Sequence, residues 1–111
     1  MSDDSKKYNG YTNYETWAVN SAISNEESLY NSWKVIAKEF WHKTNADYEL
    51  AKEIESYVKD VSADFIKEIP IVPKYFIEPL LMGAISEVNW IEVALSLLEN
   101  MVDEPTLKKN D

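Results

Sequence analysis

His42 is the only imidazole in the chain, so any chemistry that needs a nitrogen base or a nitrogen metal ligand must pass through it. Glu39-Phe-Trp-His42 places a carboxylate and an imidazole one helical turn apart, and Asp47 follows five residues later. This Glu-x-x-His spacing is the ligand unit of di-iron helical bundles, but those sites need it on two helices and a single histidine supplies it once. A histidine near the C-terminal end of a helix is also stabilised by the helix dipole, which accounts for His42 without chemistry. Carboxylates pair at helical spacing as Glu49 with Glu53 and Asp60 with Asp64, and as neighbours in Glu26 and Glu27. General acid–base work needs two carboxyls in different environments inside a cleft, whereas these alternate with lysines on polar faces. With no cysteine there is no thiolate nucleophile, disulfide or thiolate zinc site. Gly10 and Gly83 are isolated, so no phosphate-cradling loop exists, and no Gly-x-Ser-x-Gly elbow is present. The expectation is a non-enzymatic protein with no catalytic, cofactor-binding or metal-binding residues. The alternative is a small metal-binding protein or enzyme using His42 with Glu39 and Asp47.

Binding is better supplied than catalysis. Tyr14 and Trp17 lie one turn apart, as do Tyr30 and Trp33, and the two pairs fall on consecutive helices. Aromatic side chains dominate cores, and they also dominate the energetic centres of protein interfaces. The formal net charge is −9, and all 11 cations are lysines. Arginine, whose planar fork suits phosphates and base edges, is absent, which argues against direct nucleic-acid binding and against acidic lipid surfaces. No cation lies between Lys74 and Lys108, a stretch that contains Glu87, Glu92 and Glu99. Acidic residues keep small proteins soluble, and they also fit a basic partner. The candidate partner-binding residues are therefore Tyr14, Trp17, Tyr30, Trp33, Glu87, Glu92 and Glu99.

Helices must position all of these. A chain of 111 residues with 45% hydrophobic content can bury one core. The polar opening shows no apolar signal segment, and no apolar run reaches the roughly 20 residues of a membrane span, so a cytoplasmic protein without membrane contact is expected. Residues 1–10 read as a flexible lead, 11–103 as one helical domain and 104–111 as a frayed tail after the Pro105 stop. Thr12 and Glu15 have capping-box spacing for a first helix carrying Trp17, Ala18, Ala22 and Ile23. Asn25 is a suitable cap for a second helix, to about Lys43, with Leu29, Trp33, Ile36, Ala37, Phe40 and Trp41 on one side. Thr44 or Asn45 caps a third, whose Ala51, Ile54, Val58, Val61 and Phe65 form a seam. Pro70 and Pro73 flank β-branched residues, which predicts an extended connector over 70–76 and a fourth helix opening near Pro79. Asn89 and Glu92 repeat the capping-box spacing before a fifth helix, with Val88 and Val93 placed as a hydrophobic staple. The fold class is all-α: a compact bundle of about five helices.

Two stretches carry a resemblance. Gly10-Tyr-Thr-Asn-Tyr-Glu-Thr-Trp17 followed by Asn25-x-Glu27-x-x-Tyr30-x-x-Trp33, and the late Val88-Asn-Trp-Ile-Glu-Val-Ala-x-x-Leu-Leu98, resemble a family of small uncharacterised proteins found in phages, plasmids and prokaryotic genomes. Its hallmarks are an Asn-Tyr-Glu-Thr-Trp opening and a late helix beginning Asp-Trp, with Asn89 standing here at the Asp position. The match covers roughly residues 10–33 and 88–98. It implies no activity, substrate or catalytic residue. It implies a mobile-element setting, in which the chain would be an accessory protein binding a protein partner. A sharper expectation is an acidic inhibitor or DNA mimic acting on a basic or nucleic-acid-binding host protein, such as defence machinery. As an assembly the chain would be a monomer or a homodimer, the latter as a structural domain whose aromatic stripe is a self-interface.

Overall fold

The computed structural model describes residues 8–102 and resolves five helices among them: α1 (Tyr14–Asn25), α2 (Glu27–Phe40), α3 (Ala46–Lys67), α4 (Ile71–Glu87) and α5 (Trp90–Val102). The expected all-α bundle is what forms. The flexible lead over 1–7, the tail over 104–111 and the Pro105 stop lie outside the described residues.

The core is organised around α5. Trp90, Val93, Ala94, Leu97 and Leu98 recur at steps of three, one, three and one, and all five are buried. They pack with Ile23 of α1, Trp33 and Ala37 of α2, and Leu50, Ala51 and Ile54 of α3. α5 therefore lies against α1, α2 and α3. Val88 and Val93, the expected staple pair, are both in this core.

α3 outruns the element it packs on. At about 1.5 Å per residue it is roughly 33 Å long, against about 20 Å for α5. Its fully buried core residues Leu50 and Ile54, with Ala51, lie in its first half, Val58 packs against the core from the second, and α3 also meets α4. The seam departs from expectation in that second half, because Ser62 and Ile66 are buried while Val61 and Phe65 are exposed. A helix of 3.6 residues per turn can continue from Val58 by repeated steps of four as well as by alternating steps. This one follows 58, 62 and 66, leaving Phe65 on the outside.

The connector expected at 70–76 is instead the beginning of α4, which also corrects the start near Pro79. Pro70 is the extended residue that precedes the helix, with ψ 153°. Pro73 is the third helical residue, and the first four amides of a helix have no intrahelical acceptor, so its missing N–H costs nothing. Only Pro79 lies inside the helix, where it forfeits a hydrogen bond to the carbonyl of exposed Tyr75.

Three helix starts also differ in detail. Asn13, not Thr12, caps α1, and Glu26, not Asn25, caps α2. Asn45 precedes α3 without a side-chain cap bond. α2 ends at Phe40 rather than Lys43, where the Trp41 amide donates to the Lys38 carbonyl three residues back.

Candidate interaction surface

The opening motif is a structural clasp. The Asn13 side-chain oxygen accepts from the Thr16 amide (2.9 Å) and from the Thr16 hydroxyl (2.7 Å). Its amide nitrogen donates to the carbonyl of Glu87 at the end of α4 (2.8 Å). The Thr16 hydroxyl, fully buried, in turn accepts from the Asn89 amide (2.9 Å). Asn89 caps α5 by accepting from the Glu92 amide (3.1 Å), while the Glu92 carboxylate accepts from the Thr12 amide (3.1 Å). Thus both stretches that carried the resemblance meet at one point: they join the start of α1 to the turn between α4 and α5. Tyr8 and Tyr11 close a two-residue turn ahead of the clasp through reciprocal backbone bonds of 2.9 and 2.7 Å. Asn9 and Gly10 occupy it with φ of 49° and 89°, the pattern of a type I′ turn.

The four aromatic candidates divide. Tyr14 and Trp17 lie 5.6 Å apart and both meet the Tyr8 ring, at 5.2 and 5.1 Å. Tyr14 is 53% exposed and Trp17 partly buried. Trp33 is buried and meets Tyr57 edge-on at 5.5 Å, a partner the sequence did not suggest. Tyr30 is half-buried, with the Lys34 ammonium 5.2 Å above its ring. The acidic candidates divide as well. Glu92 and Glu99 line an open groove beside Asn9, Gly10 and Tyr11, while Glu87 is exposed at the end of α4.

His42 and Glu39 are exposed near the end of α2, and Asp47 accepts from its neighbour's amide, that of Tyr48, at 2.8 Å. Among the described residues no three histidine or acidic side chains converge as a metal site would require. A more developed concavity, about 440 Å³ and open to solvent, separates α2 from α3, with Leu29, Trp33, Ile36 and Tyr57 as apolar walls and Glu53 and Asp60 at its rim. The Glu26 carboxylate is displaced below its ordinary range, held low by the Leu29 amide it caps and then by the Ser28 hydroxyl.

The largest departure from a sealed bundle is α4. Leu80 is 73% exposed, Tyr75 71% and Phe76 69%, and Ile71, Val72 and Met82 are exposed with them. At about 100° per residue these six fall, with Pro79 and Gly83, within one half of the helix circumference. The opposite half carries Leu81 and Ile85, which turn into the core, and Lys74. The outward half holds no charge until Glu87. The apolar-rich stretch 71–82, interrupted by Lys74 and Glu78, was the available signal for this surface, and the prolines within it point instead to a connector.

No single helix among the described residues is long and apolar enough to cross a membrane, although Ile71–Glu87 and Trp90–Glu99, bent by 58°, pass together on length and composition.

A five-helix, all-α domain with an apolar helix face turned outward is thus the class that fold and surface define. The chain belongs to a family of unknown function, DUF7249, which matches residues 4–106. No curated protein matches the chain. No solved structure matches it.

Proposed function

We propose that this chain is a non-enzymatic accessory protein that works by binding another protein, with the outward half of α4 as its binding surface. The observation that carries this reading is the uncovered arc of Ile71, Val72, Tyr75, Phe76 and Leu80. Contiguous exposed apolar surface beyond a few hundred Å² is uncommon on a soluble monomer and marks an interaction site. The clasp supports the same division of labour: Asn13, Thr16 and Asn89 commit their polar groups to the Asn13–Thr16–Asn89 chain of bonds, the Glu87 carbonyl and the Glu92 amide, which makes the opening motif a device for holding α4 and α5 in place. The resemblance to phage and plasmid proteins adds a mobile-element setting to this proposal.

A second reading is favoured by charge. The net charge of −9, the absence of arginine and the cation-free stretch from 75 to 107 suit an acidic inhibitor or DNA mimic that engages a basic host protein. The two readings differ in salt response, because apolar contacts survive high ionic strength and exposed charge contacts do not.

Photo-crosslinking separates them. A photoreactive phenylalanine analogue is placed at position 80 or at position 99, and protein adducts are scored at low and at about 1 M salt, where the screening length is only ~3 Å. The α4 reading expects salt-resistant protein adducts at position 80. Salt-sensitive adducts at position 99 alone would transfer the function to the acidic surface, and adducts at neither position would refute both.

A further inference from the structure

We infer that the protein seated on α4 is a second copy of this chain, paired through the outward faces of the two α4 helices; this inference rests on the proposed binding role of that helix. The first ground is area. The exposed parts of Ile71, Val72, Tyr75, Phe76, Leu80 and Met82 together present roughly 800 Å², which is about what each partner contributes to a stable interface of standard size. α4 therefore presents, from one element, apolar area on the scale of a half-interface, and a pairing about a two-fold axis uses that same patch on both copies.

The second ground is charge. Two copies that each carry −9 repel one another over most of their surfaces. From Pro79 to Ser86 there is no charged residue, and Lys74 and Glu78 fall outside the outward arc. It is the face along which two acidic chains approach with the fewest like charges between them, whereas a basic partner would find a single carboxylate on it, Glu87 at its end.

The third ground is spacing. Val72, Phe76, Pro79 and Gly83 follow one another by four, three and four residues, the step pattern of a helix–helix seam. Tyr75 and Leu80 flank that seam, and an added Cβ at Gly83 would meet nothing within 4 Å, so a second helix has room to approach there.

A membrane-spanning α4–α5 pair is a competing arrangement, and the core argues against it. The α4–α5 pair reaches membrane-spanning length only with α5, and Val93, Ala94 and Leu97 of α5 are fully or almost fully buried among α1, α2 and α3. Inserting the pair would dismantle the bundle.

Sedimentation equilibrium on the purified full chain tests the inference, run on the natural sequence, on Phe76→Asp and on Leu80→Asp. Both substituted side chains are mostly exposed, and far-UV circular dichroism and thermal melts confirm that each variant folds. The expected result is a dimer for the natural sequence and at least a 100-fold weaker dissociation constant for each variant, with Val35→Asp, a similarly exposed apolar position on α2, unchanged as the control. A natural chain that stays monomeric at ~100 μM overturns the inference, as does a dimer indifferent to both α4 substitutions. Co-sedimentation with phosphatidylcholine vesicles by a monomeric chain overturns it in favour of lipid. Adducts at position 80 that contain only other proteins would end the self-pairing while sparing the binding role, whereas no protein adduct there would end both.

Discussion

Replacing Thr16 by valine is the sharpest probe of how the opening motif works. The two side chains are nearly isosteric and close in helix propensity, so packing and local helix cost largely cancel. What changes is the hydroxyl, which sits fully buried, donates to Asn13 at 2.7 Å and accepts from the Asn89 amide at 2.9 Å. Each bond contributes about 1 kcal/mol net, and the Asn89 amide loses the acceptor it had at the α4–α5 turn, so the expected destabilisation is about 2 kcal/mol. For a domain of this size that lowers Tm by roughly 10 °C. Thr16→Ser keeps the hydroxyl and forfeits one methyl, for about 1 kcal/mol. The assay is thermal and urea unfolding of both variants, of Asn13→Ala, and of Asn13→Ala combined with Thr16→Val. Because Asn13 and Thr16 share bonds, the double mutant should be more stable than additivity predicts by about 1 kcal/mol. If Thr16→Val is as stable as the natural chain, or if its effect adds to that of Asn13→Ala within roughly 0.5 kcal/mol, the clasp does not hold the two ends together.

Other substitutions probe the remaining parts. Gly10→Ala should cost about 1 kcal/mol or more in urea unfolding, because φ of 89° strains a side-chain-bearing residue even though nothing crowds the added carbon. Leu50→Ala, at a fully buried position, should cost about 2–5 kcal/mol, whereas Leu80→Ala should change monomer stability by under ~0.5 kcal/mol; equal effects would contradict the assignment of core and surface. Glu26 caps α2 as a carboxylate, and its folded-state pKa lies below its ordinary value. Its contribution is thus present above the ordinary glutamate range and is lost as pH falls toward the depressed folded value. Glu26→Gln should flatten that part of a stability profile measured from about pH 6 to about pH 3, and an unchanged slope would refute the cap's role.

The helical class, the five elements and the α5 core were legible because their signals are local. Trp90, Val93, Ala94, Leu97 and Leu98 keep a helical period, and Asn89 announces their helix. The clasp was only half legible. Asn13, Thr16 and Asn89 bond across 73 or more residues in two of their contacts, which no spacing rule encodes, and Thr12 with Glu15 offered a local capping pattern that the fold does not use. α4 misled for a physical reason. Prolines break helices only where a missing N–H matters, and whether Pro73 lies in a first turn depends on where the helix begins, which the sequence left open. The same misreading hid the candidate surface, since an extended connector over 70–76 has no helical face to turn outward. Phe65 was misplaced for a subtler reason, as steps of three and of four from Val58 are equally helical and periodicity alone does not select between them.

The outward half of α4 is the centre of this account, and amide hydrogen exchange followed across protein concentration tests it most directly. The core amides of α3 and α5 should exchange at rates independent of concentration. Those of α4, from Tyr75 to Ala84, should become at least tenfold more protected between ~1 and ~100 μM as the face is covered. Protection of α4 that stays constant across that range, in a chain that otherwise remains folded, would contradict the claim that this helix is the surface through which two copies of the protein pair.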